Sequence, residues 1–398
     1  MKFALISHVL PPDWGGQTIM LHRLLEGLSG DDYCLLSGNN YAPEVFRGNY
    51  SRRLPAPYYQ ITSGFQLTRG YRYGLRRLRE SVNVPLGLVA RARSIAEIIR
   101  RENCRAVIAC SGELLDLPAG YLASRLVGVP FYAYIFDYYS YQHLNPVDRF
   151  FATRFEPFVL KGAAGVIVPN EVLRDELRAR YGVDSTVIHN PCDIEPYESL
   201  PAYEPAGDGE VRIAYTGAVY DAHYDAFRNL VAAINLLGRP NVKLHLYSAS
   251  PVDWEGEGIS GPAVVHHGHQ ELSAMPGIQR QADILFLPLA LRSPYPVLVK
   301  TSATSKMGEY LAARQPILVH APKGSFLSVY FRRHDCGVVV DEDDPSQLAE
   351  GIERIVNDEG LRRKLSAKAW ERAQTDFTIA TAQVAFDRLL KLERGARG

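Results

Sequence analysis

The sequence predicts an α/β protein of two Rossmann-like, doubly wound domains whose strand ends face a shared cleft. Three observations predict it. The 398 residues exceed the roughly 250–300 at which one hydrophobic core stops growing. Short apolar runs alternate with helix-period segments, as the strand, loop and helix units of a mostly parallel sheet do. A polar stretch from Pro196 to Gly209 interrupts that alternation once, and the cycle then starts again. The expected division is a first domain at 1–195, a linker at 196–209 and a second domain at 210–375. A closing helix in 376–398 has no strand after it to cover and is expected to return to the first domain.

Lys2 to His8 reads as a strand, followed by a loop containing Gly15-Gly16 and a helix capped by Thr18, with Met20, Leu21, Leu24, Leu25 and Leu28 at helical spacing. Asp32 to Ser37 is the next strand. Gly38 to Ser63 has no firm periodicity and reads as a covering loop. Arg69 to Glu80 alternates arginines with Tyr71, Tyr73, Leu75 and Leu78, and a second arginine-bearing helix runs from about Leu86 to Arg101. Strands follow at Ala106–Cys110, Val129–Phe136, Gly165–Val168 and Thr186–His189, with helices from Leu114 to Leu126 and, capped by Asn170, from Glu171 to Arg180.

After the linker, Val211–Thr216, Val242–Tyr247, Ala263–His267 and Asp283–Leu287 are strands, Asp225–Leu237 is a helix, and Glu271–Met275 is a turn or half-helix. Ser305 and Lys306 stand before or in the first turn of a helix that ends ahead of Gln315-Pro316. A strand at Pro316–Val319 follows. Then come a helix at Ser325–Phe331, a strand at Gly337–Val340 and helices opening at Pro345, Glu359 and Ile379.

Apolar residues at 46% are ample for two cores, and acidic and basic side chains balance at 44 each, so no whole-chain field argues for nucleic acid. The charge is local. Arg69, Arg72, Arg76, Arg77 and Arg79 form a basic cluster that is either a solvated helix face or a patch for an anionic membrane surface or a polyphosphate. Five scattered cysteines fit neither a disulfide framework nor a zinc knuckle, which points to reduced thiols and a cytoplasmic setting, with a peripheral place at the inner face of a membrane if the basic patch is used. The apolar start is broken too early by Pro11 and Pro12 for a signal peptide, and no apolar run reaches the roughly 18 residues of a spanning helix.

Open parallel sheets bind ligands at their strand ends, and these residues converge there. Helix-start amides at Ser305 and Lys306 favour an anion, and Glu309 reaches back over the same mouth. Gly15-Gly16, Gly217 and the loop at Gly268 allow backbone to approach a ligand, while Asp137 and Gln17 offer contacts to hydroxyls. That division suits transfer from a phosphate-activated donor, with Lys306 neutralising charge on the departing diphosphate without a metal. His266, His267 and His269 do not make a zinc site, since neighbours on a strand face opposite sides and no cysteine is near. Nucleophile-elbow and Walker motifs are absent from the sequence.

With these residues in place, the sequence resembles the retaining glycosyltransferase group 1 superfamily, family four, of the two-domain GT-B fold. The motifs are Pro11-Pro-Asp-Trp-Gly-Gly16, Val187-Ile-His-Asn-Pro-Cys-Asp193, Tyr215-Thr-Gly217 and Ser305-Lys-Met-Gly-Glu-Tyr-Leu-Ala-Ala313, in that order along nearly the whole chain. The resemblance implies a nucleoside diphosphate sugar donor, UDP- or GDP-linked, no tightly bound cofactor or metal, and a saccharide or lipid-linked acceptor. It places Gly15, Gly16 and Gly217 near donor phosphate or sugar, Gly268-His269 near the base and Glu309 on the ribose as the second glutamate of E-x7-E. Its first glutamate falls on Thr301, and Ala218 to Tyr224 lacks the family's usual cations.

The expected function is transfer of a sugar to a glycan or lipid-linked cell-envelope precursor, with Lys306 and Asp137 as catalytic candidates. A noncatalytic nucleotide-sugar-binding partner and a nucleotide-sugar epimerase of related fold are the alternatives. A Rossmann oxidoreductase would need a GxGxxG that the sequence lacks.

Overall fold

The computed structural model describes residues 1–13, 15–42, 52–62, 64, 76–201, 203 and 209–392. The chain divides into two compact units, residues 1–189 with the segment from Ala382 onward, and Asn190–Thr381. Each has its own parallel sheet and core.

In the first unit the strands are β1 (Phe3–Ile6), β2 (Tyr33–Ser37), β3 (Tyr58–Gln60), β4 (Ala106–Cys110), β5 (Phe131–Tyr134), β6 (Gly165–Val168) and β7 (Thr186–Val187). They lie in the order β3-β2-β1-β4-β5-β6-β7. Phe3 of β1 stands between Tyr33 and Ala106 of its two neighbours. Every residue of β1, β2 and β4 is buried, because helices cover both faces of a parallel sheet and its strands read as unbroken apolar runs.

The second unit holds β8 (Val211–Thr216), β9 (Val242–Tyr247), β10 (Val264–His266), β11 (Ile284–Pro288), β12 (Ile317–His320) and β13 (Val338–Val340), ordered β10-β9-β8-β11-β12-β13. In both sheets the strand order reverses beside the first strand, between β1 and β4 and between β8 and β11. That reversal opens a crevice at the carboxyl ends of the strands.

Several elements differ from the sequence reading. The first helix runs Gly16–Leu25, and Gly15 rather than Thr18 stands at its cap. Thr18 lies inside the helix and its hydroxyl donates back to Asp13 O (2.9 Å) and Gly15 O (2.8 Å). The segment read as a covering loop contains β3, an edge strand too short for a period to register. The two arginine-bearing helices are one over the described residues, Arg76–Arg101, with Pro85 inside it. Arg69 and Arg72 lie outside the described residues. Arg91 of this helix is turned inward, 6% exposed, and pairs with Asp116 at 2.7 Å and with Glu113.

A helix at Pro146–Gly162 was not expected, although its start signals are present: Asn145 Oδ1 accepts from Val147 N–H (3.0 Å), with Pro146 at the first position. Pro157 and a run of phenylalanines disguised its period. A second unexpected helix, Pro296–Thr301, precedes the Ser305 loop, and the half-helix near Glu271 continues as Met275–Arg280. The helix Glu171–Tyr181 is capped by Asn170, whose side chain accepts from Leu173 N–H at 2.8 Å.

The final helix, Ile379–Leu390, puts Ala382, Phe386 and Leu390 into the core of the first unit, where Phe386 meets Phe3 at 6.1 Å between ring centroids. Gln383 donates its amide to Arg23 O (2.8 Å) and Glu26 O (3.0 Å). It thereby satisfies carbonyls left open at the end of the Gly16–Leu25 helix.

Candidate functional site

In the second unit the site is built at the carboxyl end of β8. The strand ends at Thr216, and Gly217 follows at φ 119°, a backbone conformation that side chains rarely adopt. Lys306 lies across this glycine, so closely that a Cβ there would overlap its Cε. Lys306 Nζ is 5.2 Å from the centroid of the Tyr215 ring, within cation–π range. The lysine opens the seven-residue helix Lys306–Ala312, and Ser305 before it makes no side-chain capping bond.

One turn along that helix, Glu309 and Tyr310 join a buried network. Tyr310 OH accepts from Thr216 N–H at 2.9 Å. Gln279, fully buried, donates to Thr216 Oγ1 at 2.9 Å and to Glu309 Oε2 at 3.5 Å, while accepting from Tyr197 OH at 2.7 Å. Four stretches distant in sequence are thus fixed on one another, and the Gln279 amide helps hold Glu309 at the strand end. Asn190 anchors the same region, donating to Ala303 O at 2.9 Å, and its Oδ1 is buried without a hydrogen-bond partner. Gly308 packs so tightly that a Cβ would stand 2.8 Å from Cys192 Cβ.

In the first unit the carboxyl ends of β1 and β4 carry a different set. Gln17 donates to Ser7 Oγ (3.0 Å) and Ser111 O (3.3 Å), and Ser111 Oγ accepts from the amides of Phe136 (2.9 Å) and Asp137 (3.3 Å). Asp137 is exposed. Gly15 and Gly16 are exposed too, and no atom lies within 4 Å of where a Gly15 Cβ would stand. Gly112 lies against the His8 ring, whose Nδ1 is buried and has no hydrogen-bond partner. Burial holds this imidazole below its ordinary pKa, with Glu113 and Asp13 opposing.

Residues 14–196 match the family model described as Glycosyltransferase Family 4, and residues 210–358 match that described as Glycosyl transferases group 1. The chain belongs to the GT-B glycosyltransferase superfamily. Solved structures agree on the fold over nearly its whole length. HepE of Anabaena in complex with UDP is 14% identical, covering 98% of this chain and 100% of that one at a TM-score of 0.71. Sucrose-phosphate synthase from Thermosynechococcus elongatus is 17% identical, with 98% of each chain covered and a TM-score of 0.66. The lipopolysaccharide outer core galactosyltransferase WaaB in its apo form is 14% identical, covering 98% and 100% at a TM-score of 0.63. Among curated proteins, no sequence is similar enough to match.

As a GT-B protein the chain brings Gly217, Lys306 and Glu309 to one strand end, with Ser305 directly ahead of the lysine. Gly268, at φ 66°, and exposed His269 follow β10, two strands from β8 and therefore roughly 10 Å away along the same sheet edge. Thr301 supplies no substitute for a carboxylate: it is 2% exposed and its hydroxyl donates to Val297 O (3.0 Å) of its own helix. Within the loop after Gly217, His223 is 4% exposed, and burial, aided by the Lys306 charge, pushes its pKa down to about 3. That loop offers a neutral imidazole where the family pattern has a cation.

His267 is occupied by stacking on Tyr247, 4.2 Å between centroids, and by a hydrogen bond between its Nε2 and His245 Nδ1 at 2.9 Å. No cluster of three or more metal-ligating side chains occurs among the described residues. Sequence reasoning missed Gln279, Tyr310, Tyr197 and His223. Only Tyr310 carried a usable signal, being adjacent to Glu309; Gln279 sits in a short helix with no motif around it.

Proposed function

We propose that the protein is a retaining glycosyltransferase that moves a sugar from a UDP- or GDP-sugar to a glycan or lipid-linked cell-envelope precursor, without a metal. The observation that carries the reading is Lys306 lying over Gly217, one helical turn from Glu309, at a strand end where the sheet order reverses. A diphosphate at Gly217 would meet a fixed cation and open backbone, and Glu309 would accept from ribose hydroxyls. The attack would take place on the face from which the diphosphate leaves. Asp137, exposed at the end of β5, would contact the acceptor hydroxyl. The likeness to HepE, solved with UDP, with UDP-glucose, and with UDP and glucose, and to the outer core galactosyltransferase WaaB supports donor and acceptor class alike.

Calorimetric titration of UDP-, GDP-, ADP- and dTDP-sugars into wild type and Glu309→Ala tests it. We expect one donor class to bind and to weaken about tenfold or more in the variant, the scale of a lost charge-assisted hydrogen bond. Binding of none of them would sink the reading. Thr301 favours one second reading, a nucleotide-sugar-binding partner without transfer, in which binding would occur and turnover would not.

A peripheral contact with an anionic membrane is a further part of the proposal. Leu78, Val82, Leu86 and Val89 are 62%, 39%, 49% and 47% exposed at helical spacing along Arg76–Arg101, with Arg77 and Arg93 exposed near them. An apolar stripe beside arginines suits a lipid surface. Neutralising Arg77, Arg79 and Arg93 should reduce binding to phosphatidylglycerol vesicles, and equal binding by both proteins would remove this part.

A further inference from the structure

The second unit has a cavity of about 580 Å³, a volume suited to a small-molecule ligand. It is lined where β8, β11 and β12 begin, by Val211, Ile284 and Pro316 among others, and so lies at the sheet edge opposite Gly217 and Lys306. Arg280, Arg314 and Arg362 face it together with the half-buried indole of Trp370.

The charge around this cavity is not balanced. Its two lining carboxylates are already engaged: Asp283 accepts from Tyr203 OH and from Arg212 N–H (2.7 Å), and Glu359 pairs at 3.4 Å with Arg363, a fourth, exposed arginine of the lining, so four guanidinium groups face two carboxylates. Arg280 uses Nη1 on the carbonyls of Ala313 (3.0 Å) and Arg314 (3.1 Å) and Nε on Pro201 O (3.2 Å). Arg362 uses Nη1 on those of Ile355 (2.9 Å) and Val356 (2.5 Å). Bonds to main-chain carbonyls account for those nitrogens, and among the described residues the second terminal nitrogen of each makes no hydrogen bond. Among the described residues Arg314 makes no side-chain hydrogen bond: its guanidinium lies 3.8 Å over the Trp370 ring, and its Nε is buried without a partner. Burial and the nearby Arg314 charge both press Arg280 below its ordinary pKa. Like charges gathered in a partly desolvated hollow are costly unless an anion joins them, and planar guanidinium forks match phosphate oxygens.

We propose that this cavity is a second ligand site, binding a soluble phosphate monoester through Arg280, Arg314 and Arg362 at the sheet edge opposite Lys306 and Glu309. The cavity's size sets the ligand at metabolite scale, and the Trp370 wall would accept an apolar or planar body beside the phosphate. The proposal does not depend on the transferase reading.

Inorganic phosphate and glycerol 3-phosphate are titrated calorimetrically into the full chain, into Arg314→Gln, and into Lys306→Ala. Arg314 makes no hydrogen bond whose loss would threaten the fold, so the variant reports on binding. We expect binding that persists in Lys306→Ala and weakens about tenfold in Arg314→Gln, the loss of one charge-assisted contact. Arg314→Lys should fall between, since it keeps the charge and loses the fork. Unchanged affinity in Arg314→Gln, loss in Lys306→Ala alone, or binding only to phosphatidic acid vesicles would each overturn the proposal. Should Arg314→Gln lose its fold, thermal unfolding of wild type decides: no rise in Tm with phosphate over chloride at equal ionic strength overturns it.

Discussion

In the first unit the crevice between β1 and β4 is closed by neutral groups, with Gln17 bridging Ser7 and Ser111 and with exposed Asp137 beyond them. The matching place in the second unit, between β8 and β11, carries Lys306 across Gly217 and Glu309 on Gln279. Both sheets reverse their strand order at this point, so one topology supplies two crevices and the side chains give them different chemistry. An amide and hydroxyl lining orients hydroxyl groups at little electrostatic cost. A lysine over open backbone instead stabilises charge that develops on a departing group.

Removing the distinguishing charge from each side is the sharpest way to break that comparison. Lys306→Ala should lower transferase kcat by about 100-fold, the scale of a lost oxyanion-type contact, with donor affinity changed far less. Asp137→Asn should raise the acceptor KM about tenfold, as for a hydrogen bond to a charged group, and leave donor binding alone. Steady-state kinetics with both substrates varied would separate the two. A kcat loss in Asp137→Asn as large as in Lys306→Ala would make the aspartate a base and erase the contrast.

A smaller effect concerns His223, the buried imidazole beside Lys306. Its folded-state pKa of about 3 lies below the roughly 6.5 of an unfolded histidine. The unfolded chain therefore binds the proton first. Stability contributed by this group is complete above about pH 6.5 and falls by about 1.4 kcal/mol per pH unit as pH drops toward 3. His223→Phe should flatten that slope, measured by urea unfolding at pH 7.0, 6.0 and 5.0. An identical slope in the two proteins would mean that His223 already protonates in the fold.

The central strands were legible because their environment imposes an unbroken apolar run. Ala106–Cys110, Val211–Thr216 and Val242–Tyr247 begin and end where the residues suggest. Caps were legible where a side chain bonds locally, as at Asn170. Failure came where the local signal was overruled. Thr18 looked like a cap and instead bonds backward from within a helix that a glycine begins. The arginines of Arg76–Arg101 read as exposed, on a solvated face or a patch for an anionic surface, yet Arg91 turns inward onto Asp116, whose carboxyl pKa burial raises against the pull of that guanidinium.

The same boundary runs through the candidate site. Lys306 and Glu309 could be named from sequence because three positions on a helix share a face and a helix start marks itself. That Lys306 covers Gly217, and that Gln279 joins Tyr197, Thr216 and Glu309, could not, because those partners are separated by between 30 positions (Gln279 to Glu309) and 89 (Gly217 to Lys306) and no periodicity links them. Periodic burial and caps act over a few residues, and the sequence by itself determined the strands other than β3, most helices, two doubly wound sheets and the glycosyltransferase resemblance. Contacts across the sheet depend on how strands are ordered and how deeply each side chain is buried. Only the tertiary structure decided the neutral state of His223, the inward turn of Arg91, the engagement of Thr301 with its own helix, and the gathering of Arg280, Arg314 and Arg362 around one cavity.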